Sequence, residues 1–432
     1  MSEPRYLAVK LLCKTFRSGS YSNIQLSAGL DSSGLDDRGK RLCSALYYGV
    51  IQRRLTLDHV IGGLSSRPLN KLDDAIVNIL RCGIYQILYM ESVPDNAAVN
   101  ESVALAKKFG KTSASGMVNA ILRNFIRQGK TVKLPGEGIA RLSVEYSVPP
   151  ELAQCLIADH GIAKAEDFLR FSLERPLTYL RMNHLRCTEE ELTAAMGGIA
   201  LRKTAPNCYV TETGDVTATE AFRKGFFHVQ DLSSQMCCMA LGPTENDRVL
   251  DICAAPGGKT FTMAELMNGR GEIQAFDLHE KRVGLIRSGA ERLGLANITA
   301  KAGDASKFDP GLPRFSRILC DVPCSGFGVI GRKPEIRYKS LSEFDRLPEI
   351  QYNIAQNALN YLQPGGEMVY STCTVRKAEN EQVAERLLRE HPEIEACELP
   401  ELMGRKLGTM STLFPSEGFG DGFFIAKFRK AR

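Results

Sequence analysis

The chain has 432 residues, too many for one ordinary hydrophobic core, so two or three domains are expected. Hydrophobic residues at 44%, charged residues at 24% and a net charge of +5 describe a globular protein, and no apolar run approaches the roughly 18 residues of a membrane span. Thirteen scattered cysteines, an odd number without a Cys-x-x-Cys pair, exclude a disulfide scaffold or zinc knuckle and point to reduced thiols with no metal. Met1-Ser-Glu-Pro-Arg5 lacks the layout of a secretion signal. A cytoplasmic location without a membrane partner is expected, and nothing demands more than a monomer.

Residues 1–130 read as helical. Leu7, Val9, Leu11, Leu12 and Phe16 approximate one apolar face, and the apolar residues from Ala75 to Tyr89 form another. Two further helices are predicted over 96–108 and 117–126, and 129–138, with Pro135 inside it, is the linker candidate. This front is basic. Residues 1–133 carry 19 Lys+Arg against 10 Asp+Glu, whereas the remainder carries 36 against 40. Such asymmetry suits a polyanion, although an ordinary basic helical domain explains it equally well. Gly116-Met-Val-Asn-Ala-Ile-Leu-Arg123 and the helix from Pro94 to Lys108 resemble the NusB family of all-helical RNA-binding domains. That resemblance implies a helical domain over 1–135 with RNA as partner, and Arg53, Arg54, Lys107, Lys108, Arg123 and Arg127 as candidate contacts.

Residues 140–235 mix short helices with strand-like pieces at 178–182 and 208–211, as a small α+β domain would. From Asp247 the pattern becomes regular. Strands are predicted over 248–252, 272–276, 298–302, 317–320 and 366–371, separated by helical stretches, with a late edge strand at 422–427. This alternation predicts a doubly wound parallel α/β sheet over 236–432.

Three strand ends carry the chemistry, because open α/β sheets bind ligands at the carboxyl ends of their strands. The first is Val249-Leu-Asp-Ile-Cys-Ala-Ala-Pro-Gly-Gly-Lys-Thr260. A phosphate-binding P-loop would need a glycine where Cys253 stands, and G-x-G-x-x-G is absent. What remains is a tight turn of small residues that lets a ligand approach the backbone at a helix start. Asp277 ends the next strand about 20 residues on, where an acid binds ribose hydroxyls in such folds, and Asp304 follows the third strand. Either aspartate alone would read as a helix cap; together they predict a nucleoside cofactor.

The other two strand ends deliver thiols, Cys324 in Asp321-Val-Pro-Cys-Ser-Gly326 and Cys373 in Tyr370-Ser-Thr-Cys-Thr374. Two thiols there suggest covalent catalysis on a pyrimidine, with nucleophile and proton-transfer roles divided. A nucleophilic thiolate needs nearby positive charge, for which Lys259 and Arg376 are candidates. Asp321 is placed to hold the base edge. The cysteines at 13, 43, 82, 155, 187, 208, 237, 238 and 320 are read as small buried hydrophobes.

DICAAPGGKT at 251–260, DVPCSG at 321–326, STCT at 371–374 and DGFFIAKF at 421–428 resemble the RNA (cytosine-5) methyltransferase family. With the NusB-like front, the whole chain is similar to bacterial enzymes that modify a cytosine of 16S ribosomal RNA. The resemblance implies S-adenosylmethionine as cofactor, lined by Cys253, Ala254, Ala255, Pro256, Gly257, Gly258, Lys259, Asp277, Asp304 and Asp321. It also implies Cys373 as nucleophile on C6 and Cys324 as the thiol assisting proton removal and release. The residues themselves leave that order open, since DNA cytosine enzymes use the cysteine of the Pro-Cys motif. Gly331 and Lys333 depart from the arginine-rich stretch usual in the family, and the middle domain lacks its usual tryptophan. Competing readings are the same reaction on transfer RNA, a non-catalytic RNA assembly factor, and a nucleotide-binding oxidoreductase.

Overall fold

The computed structural model describes residues 3–18, 22–212 and 214–432, which divide into two compact units. The first unit comprises Met1–Leu173 and Ile330–Lys339, and its regular elements among the described residues are all helices. Aspartates start its helices where the chain leaves a turn: Asp36 accepts from the Gly39 N–H at 2.8 Å, and Asp73 from the Ala75 N–H at 2.9 Å. The helix Asp74–Tyr89 buries 11 of its 16 residues, so its apolar residues cover more than one stripe. Leu46, Tyr47, Ile79, Val99, Leu122 and Phe125 meet in the core. The expected helices over 75–89, 96–108 and 117–126 are present as Asp74–Tyr89, Asp95–Lys108 and Ser115–Arg127.

Helices Ile139–Glu145, Pro150–His160 and Ile162–Phe171 also lie in this unit, so the α+β middle region is shared between the two units. Its junction with the front is polar: the Thr56 hydroxyl donates to the Val144 carbonyl at 2.5 Å, and the Leu55 N–H to Ser147 Oγ at 2.9 Å. The chain returns to the helical unit after Val329. There Arg337, fully buried, donates to the carbonyls of Tyr146 at 3.1 Å and Ser172 at 3.2 Å, and the Tyr338 hydroxyl to Ile51 O at 2.7 Å. Gly331, one of the two family departures, rests against the Ser172 backbone in the same unit.

The second unit contains two sheets. Strands β1 (Thr178–Met182), β2 (Arg202–Ala205), β3 (Cys208–Thr211) and β4 (Phe227–Val229) form an antiparallel sheet in the order β2-β3-β1-β4. The larger sheet contains β5 (Arg248–Asp251), β6 (Glu272–Asp277), β7 (Ile298–Ala302), β8 (Phe315–Asp321), β9 (Leu362–Thr372), β10 (Ile394–Ala396), β11 (Met410–Leu413) and β12 (Phe423–Lys430). Its order is β10-β12-β9-β8-β5-β6-β7, with β11 also on β12, and the run from β9 to β7 is parallel. The chain runs outward through β6 and β7 on one side of β5, then returns to build β8 and β9 on the other. The β5/β8 boundary is therefore a topological switch point, where a cleft opens at the strand ends.

Alternate side chains cover the two faces. Val249, Ile273, Leu319 and Val369 pack with Met236 and Met263 on one side. Leu250, Ile318, Met368 and Tyr370 pack with Ile354 and Leu359 on the other. One expectation is corrected: the last strand is not an edge. β12 pairs antiparallel with β9 along one side, and the short β10 and β11 cover its other side at opposite ends. The apolar run from Phe423 to Phe428 is buried on both faces because β12 lies inside the sheet. The smaller sheet is joined to the larger by a buried ion pair, Arg181 Nε to Glu265 Oε2 at 3.1 Å, and by Asn183 Nδ2 donating to Leu293 O at 2.9 Å. Among the described residues no helix is long and apolar enough to cross a membrane.

Candidate active site

The turn after β5 is shaped by its small residues. The Ala254 N–H donates to Phe276 O at 2.7 Å and the Gly257 N–H to Ala254 O at 2.8 Å, which draws Cys253 to Gly258 tightly against β6. Gly257 has φ of +111°, and a Cβ there would fall 2.5 Å from Phe261 Cζ. Only glycine fits. Behind the turn Thr260 donates to the fully buried Asp251 at 2.7 Å. Burial pushes the Asp251 carboxyl up to about 7, against the lowering effect of the Thr260 hydrogen bond.

The helix Gly258–Leu266 aims Lys259 back toward the sheet. Its Nζ lies 2.7 Å from Asp321 Oδ2 at the end of β8, and the Ser371 hydroxyl donates to Asp321 Oδ1 at 2.9 Å. Burial disfavours the lysine charge, but the adjacent Asp321 carboxylate more than reverses this and holds it protonated. Asp321 is thereby fixed by a cation on one oxygen and a hydroxyl on the other.

The two thiols meet. Cys324 Sγ and Cys373 Sγ are 3.1 Å apart and both cysteines are half-buried. β8 and β9 run in parallel register, Asp321 opposite Ser371, so the turns beyond them begin side by side. The Gly328 N–H donates to Cys373 O, and the Gly422 N–H to Gly328 O, each at 3.0 Å. A Cβ on Gly328 would fall 1.8 Å from Gly422 O, so the DGFF stretch at 421–424 needs backbone alone at that crossing. The Cys324 thiol is pushed well up by its hydrogen bond to Cys373 and by burial, with Glu379 adding to the effect.

Asp277 and Asp304 close β6 and follow β7. Asp277 is nearly buried and held by the His279 N–H at 3.1 Å and by Arg282 at 3.0 Å, while Arg282 also donates to Ala255 O at 2.7 Å. Asp304 accepts from the Ser306 hydroxyl at 2.6 Å and its N–H at 3.1 Å and pairs with Lys307. These donors hold its carboxyl below the usual range. A cavity of about 220 Å³ lies beside Asp304, with Ile252, Phe276, Phe308 and Leu312 among its walls. An apolar slot rimmed by an ionised acid suits a flat heterocycle with an amino group.

All four expected catalytic residues thus meet near the switch point, and the expected cofactor residues occupy the ends of four neighbouring strands, β8, β5, β6 and β7. Lys259 and Arg376 do not stand as open sources of positive charge. Lys259 is taken by Asp321, and Arg376 pairs with the buried Glu379 at 3.2 Å. Phe276, Phe308 and Leu312 were missed, since an aromatic in a strand signals core as readily as a slot. Glu379 and Asn380 were missed too, and the only signal was their polarity at a helix start. In the helical unit Arg123 and Arg127 are exposed on one face, as are Lys107 and Lys108 at the end of their helix. Arg53 and Arg54 are half-buried packing residues, over the Tyr89 ring at 4.7 Å and the Tyr338 ring at 3.8 Å.

Residues 238–429 match the family model for 16S rRNA methyltransferase RsmB/F, and residues 2–127 match the NusB family. The chain is 36% identical to the probable ribosomal RNA small subunit methyltransferase B of Bacillus subtilis, over 99% of this chain and 98% of that protein. It is 34% identical to the corresponding Synechocystis protein, over the whole of both. In fold it is similar to the crystal structure of PH0851, with a TM-score of 0.81 at 22% identity, covering 100% of this chain and 99% of that one. A methyltransferase homolog protein from Pyrococcus horikoshii gives a TM-score of 0.59 at 26% identity, covering 68% of this chain and all of that one. The chain belongs to the RsmB/F family of 16S rRNA methyltransferases, S-adenosylmethionine-dependent enzymes that methylate C5 of cytosine in ribosomal RNA, with a NusB-like domain at its front.

Proposed function

We propose that this enzyme methylates one cytosine of 16S ribosomal RNA through a covalent bond between Cys373 Sγ and C6 of the base, with Cys324 assisting release. The observation that carries the reading is the pair of thiols 3.1 Å apart at the ends of adjacent parallel strands, beside a fixed carboxylate. The 16S substrate rests on the relatives' names and on the basic helical front.

Cys253 to Lys259, Asp277, Asp304 and Asp321 are the residues that would hold S-adenosylmethionine, with the apolar slot by Asp304 receiving its adenine. Bound there, the cofactor supplies the methyl group that C5 takes. Cys373 Sγ forms the bond to C6, and the ring electrons made available give C5 the character of an enamine carbon. Asp321, held by Lys259 and Ser371, receives the N3 and amino edge of the base and stabilises the positive charge there. With Cys373 as thiolate, the Cys324 thiol would be the donor of the pair. Once Cys373 is a thioether that acceptor charge is gone, and Cys324 is the neighbouring group that assists removal of the C5 proton. As that proton passes to solvent, the Sγ–C6 bond breaks and Cys373 returns as thiolate. A base paired within a helix would have to leave its stack to reach both sulfurs.

Wild type, Cys324→Ala and Cys373→Ala are each incubated with methyl-labelled S-adenosylmethionine and 16S RNA. Cys324→Ala is expected to accumulate labelled covalent protein–RNA adduct, and Cys373→Ala to form none and lack activity. The reverse pattern would exchange the two roles, and wild type that leaves RNA unlabelled would sink the reading.

A further inference from the structure

Both cysteine turns are gripped by one dipeptide, Glu379–Asn380, whose side chains are fully buried. Glu379 Oε2 accepts from the Ser325 N–H at 2.8 Å and from Gln351 Nε2 at 3.0 Å, and Gln351 also donates to Pro323 O at 2.9 Å. The residues before and after Cys324 are therefore fixed by Glu379, directly or through Gln351. Asn380 does the same for the other thiol. Its Oδ1 accepts from the Thr372 hydroxyl at 2.6 Å, and its Nδ2 donates to Thr374 O at 3.0 Å, on either side of Cys373. Ser325 Oγ and Thr374 Oγ1, 2.8 Å apart, join the two turns. The dipeptide is anchored in turn by the Tyr370 hydroxyl on Glu379 O at 2.6 Å.

Neutral acceptors could have satisfied one N–H and one amide, and a buried carboxylate is costly. Its charge must be judged by what surrounds it. Arg376 balances one oxygen, and the other lies against the Cys324 turn, where negative charge disfavours a thiolate.

We propose that Glu379 and Asn380 are the positioning residues that set the spacing of the two thiols, and that the charge of Glu379 keeps Cys324 as hydrogen-bond donor of the pair. This rests on the two-thiol reading above and adds to it what divides the roles.

The test uses full-length protein and dibromobimane, which fluoresces once it links two thiols, with Cys324→Ala as background. Wild type is expected to bridge. Asn380→Ala is expected to bridge about fivefold more slowly and to lose about tenfold or more in kcat, with KM for RNA little changed. In Glu379→Gln, limited iodoacetamide alkylation mapped by mass spectrometry should divide between the two thiols, where wild type favours Cys373. Wild-type bridging in Asn380→Ala, or wild-type alkylation preference in Glu379→Gln, overturns the proposal. If Glu379→Gln does not fold, Gln351→Met removes the neutral link to Pro323 and keeps the charge. Slower bridging with unchanged alkylation preference is then expected, and unchanged bridging overturns the proposal. Neither probe needs RNA, so failure here is distinct from a missing RNA adduct in Cys324→Ala, which counts against the two-thiol reading itself.

Discussion

Among the thirteen cysteines, position and partner distinguish two. Cys43, Cys82, Cys238 and Cys320 are buried, and burial raises each thiol; Cys237 is pushed up to about 12 in the same way. Cys324 and Cys373 were legible because a cysteine just beyond a short apolar strand emerges where the sheet binds ligands. Arg376 is no open source of positive charge because Glu379, three residues further on, turns back and pairs with it. Asp251 offers a separate test. Its folded-state carboxyl is raised to about 7, so folding is most favoured while it is protonated in both states. That contribution is lost as pH climbs from the ordinary carboxylate range toward 7, and it is constant above. Asp251→Asn keeps an acceptor for Thr260 and removes the ionisation. Thermal melts from pH 5 to 8 should show the variant gaining on wild type by about 3 kcal/mol as pH rises to 7, with little further change above it. A constant difference across that range would contradict the assignment.

At the scale of elements, the parallel strands were readable because strands covered on both faces are continuous apolar runs bounded by turn residues. The same rule should have placed β12 inside the sheet. Its run from Phe423 to Phe428 is as apolar as β8, but its late position suggested an edge, and the short β10 and β11 that cover it carry little signal of their own. The tight turn after β5 was legible from its small residues, and Gly257 tests the cofactor role proposed for it. Gly257→Ala puts a Cβ on a left-handed φ of +111° and 2.5 Å from Phe261. The strain should cost about 1–3 kcal/mol of stability and weaken S-adenosylmethionine binding about tenfold or more, read by melting and by equilibrium binding. Binding as tight as wild type would separate this turn from the cofactor.

For the whole molecule, the division into a basic helical front and a catalytic sheet was legible from charge and periodicity. The return of Ile330–Lys339 to the helical unit was not. Arg337 and Tyr338 belong there because backbone carbonyls far apart in sequence converge on them, and no local pattern announces such a site. Arg123 and Arg127, one turn apart and exposed, carry the RNA reading of the front. The double substitution Arg123→Glu and Arg127→Glu should weaken RNA binding and reduce the slope of log K against log salt by about 1–2. An unchanged slope would take both side chains out of the footprint. The most direct measurement of the central claim is the identity of the residue bound to RNA. Cys324→Ala, trapped with 16S RNA and labelled cofactor and then digested with nuclease and protease, should yield a methylated cytosine attached to the peptide containing Cys373. A nucleotide attached to any other residue, or an attached cytosine without the label, would contradict the account.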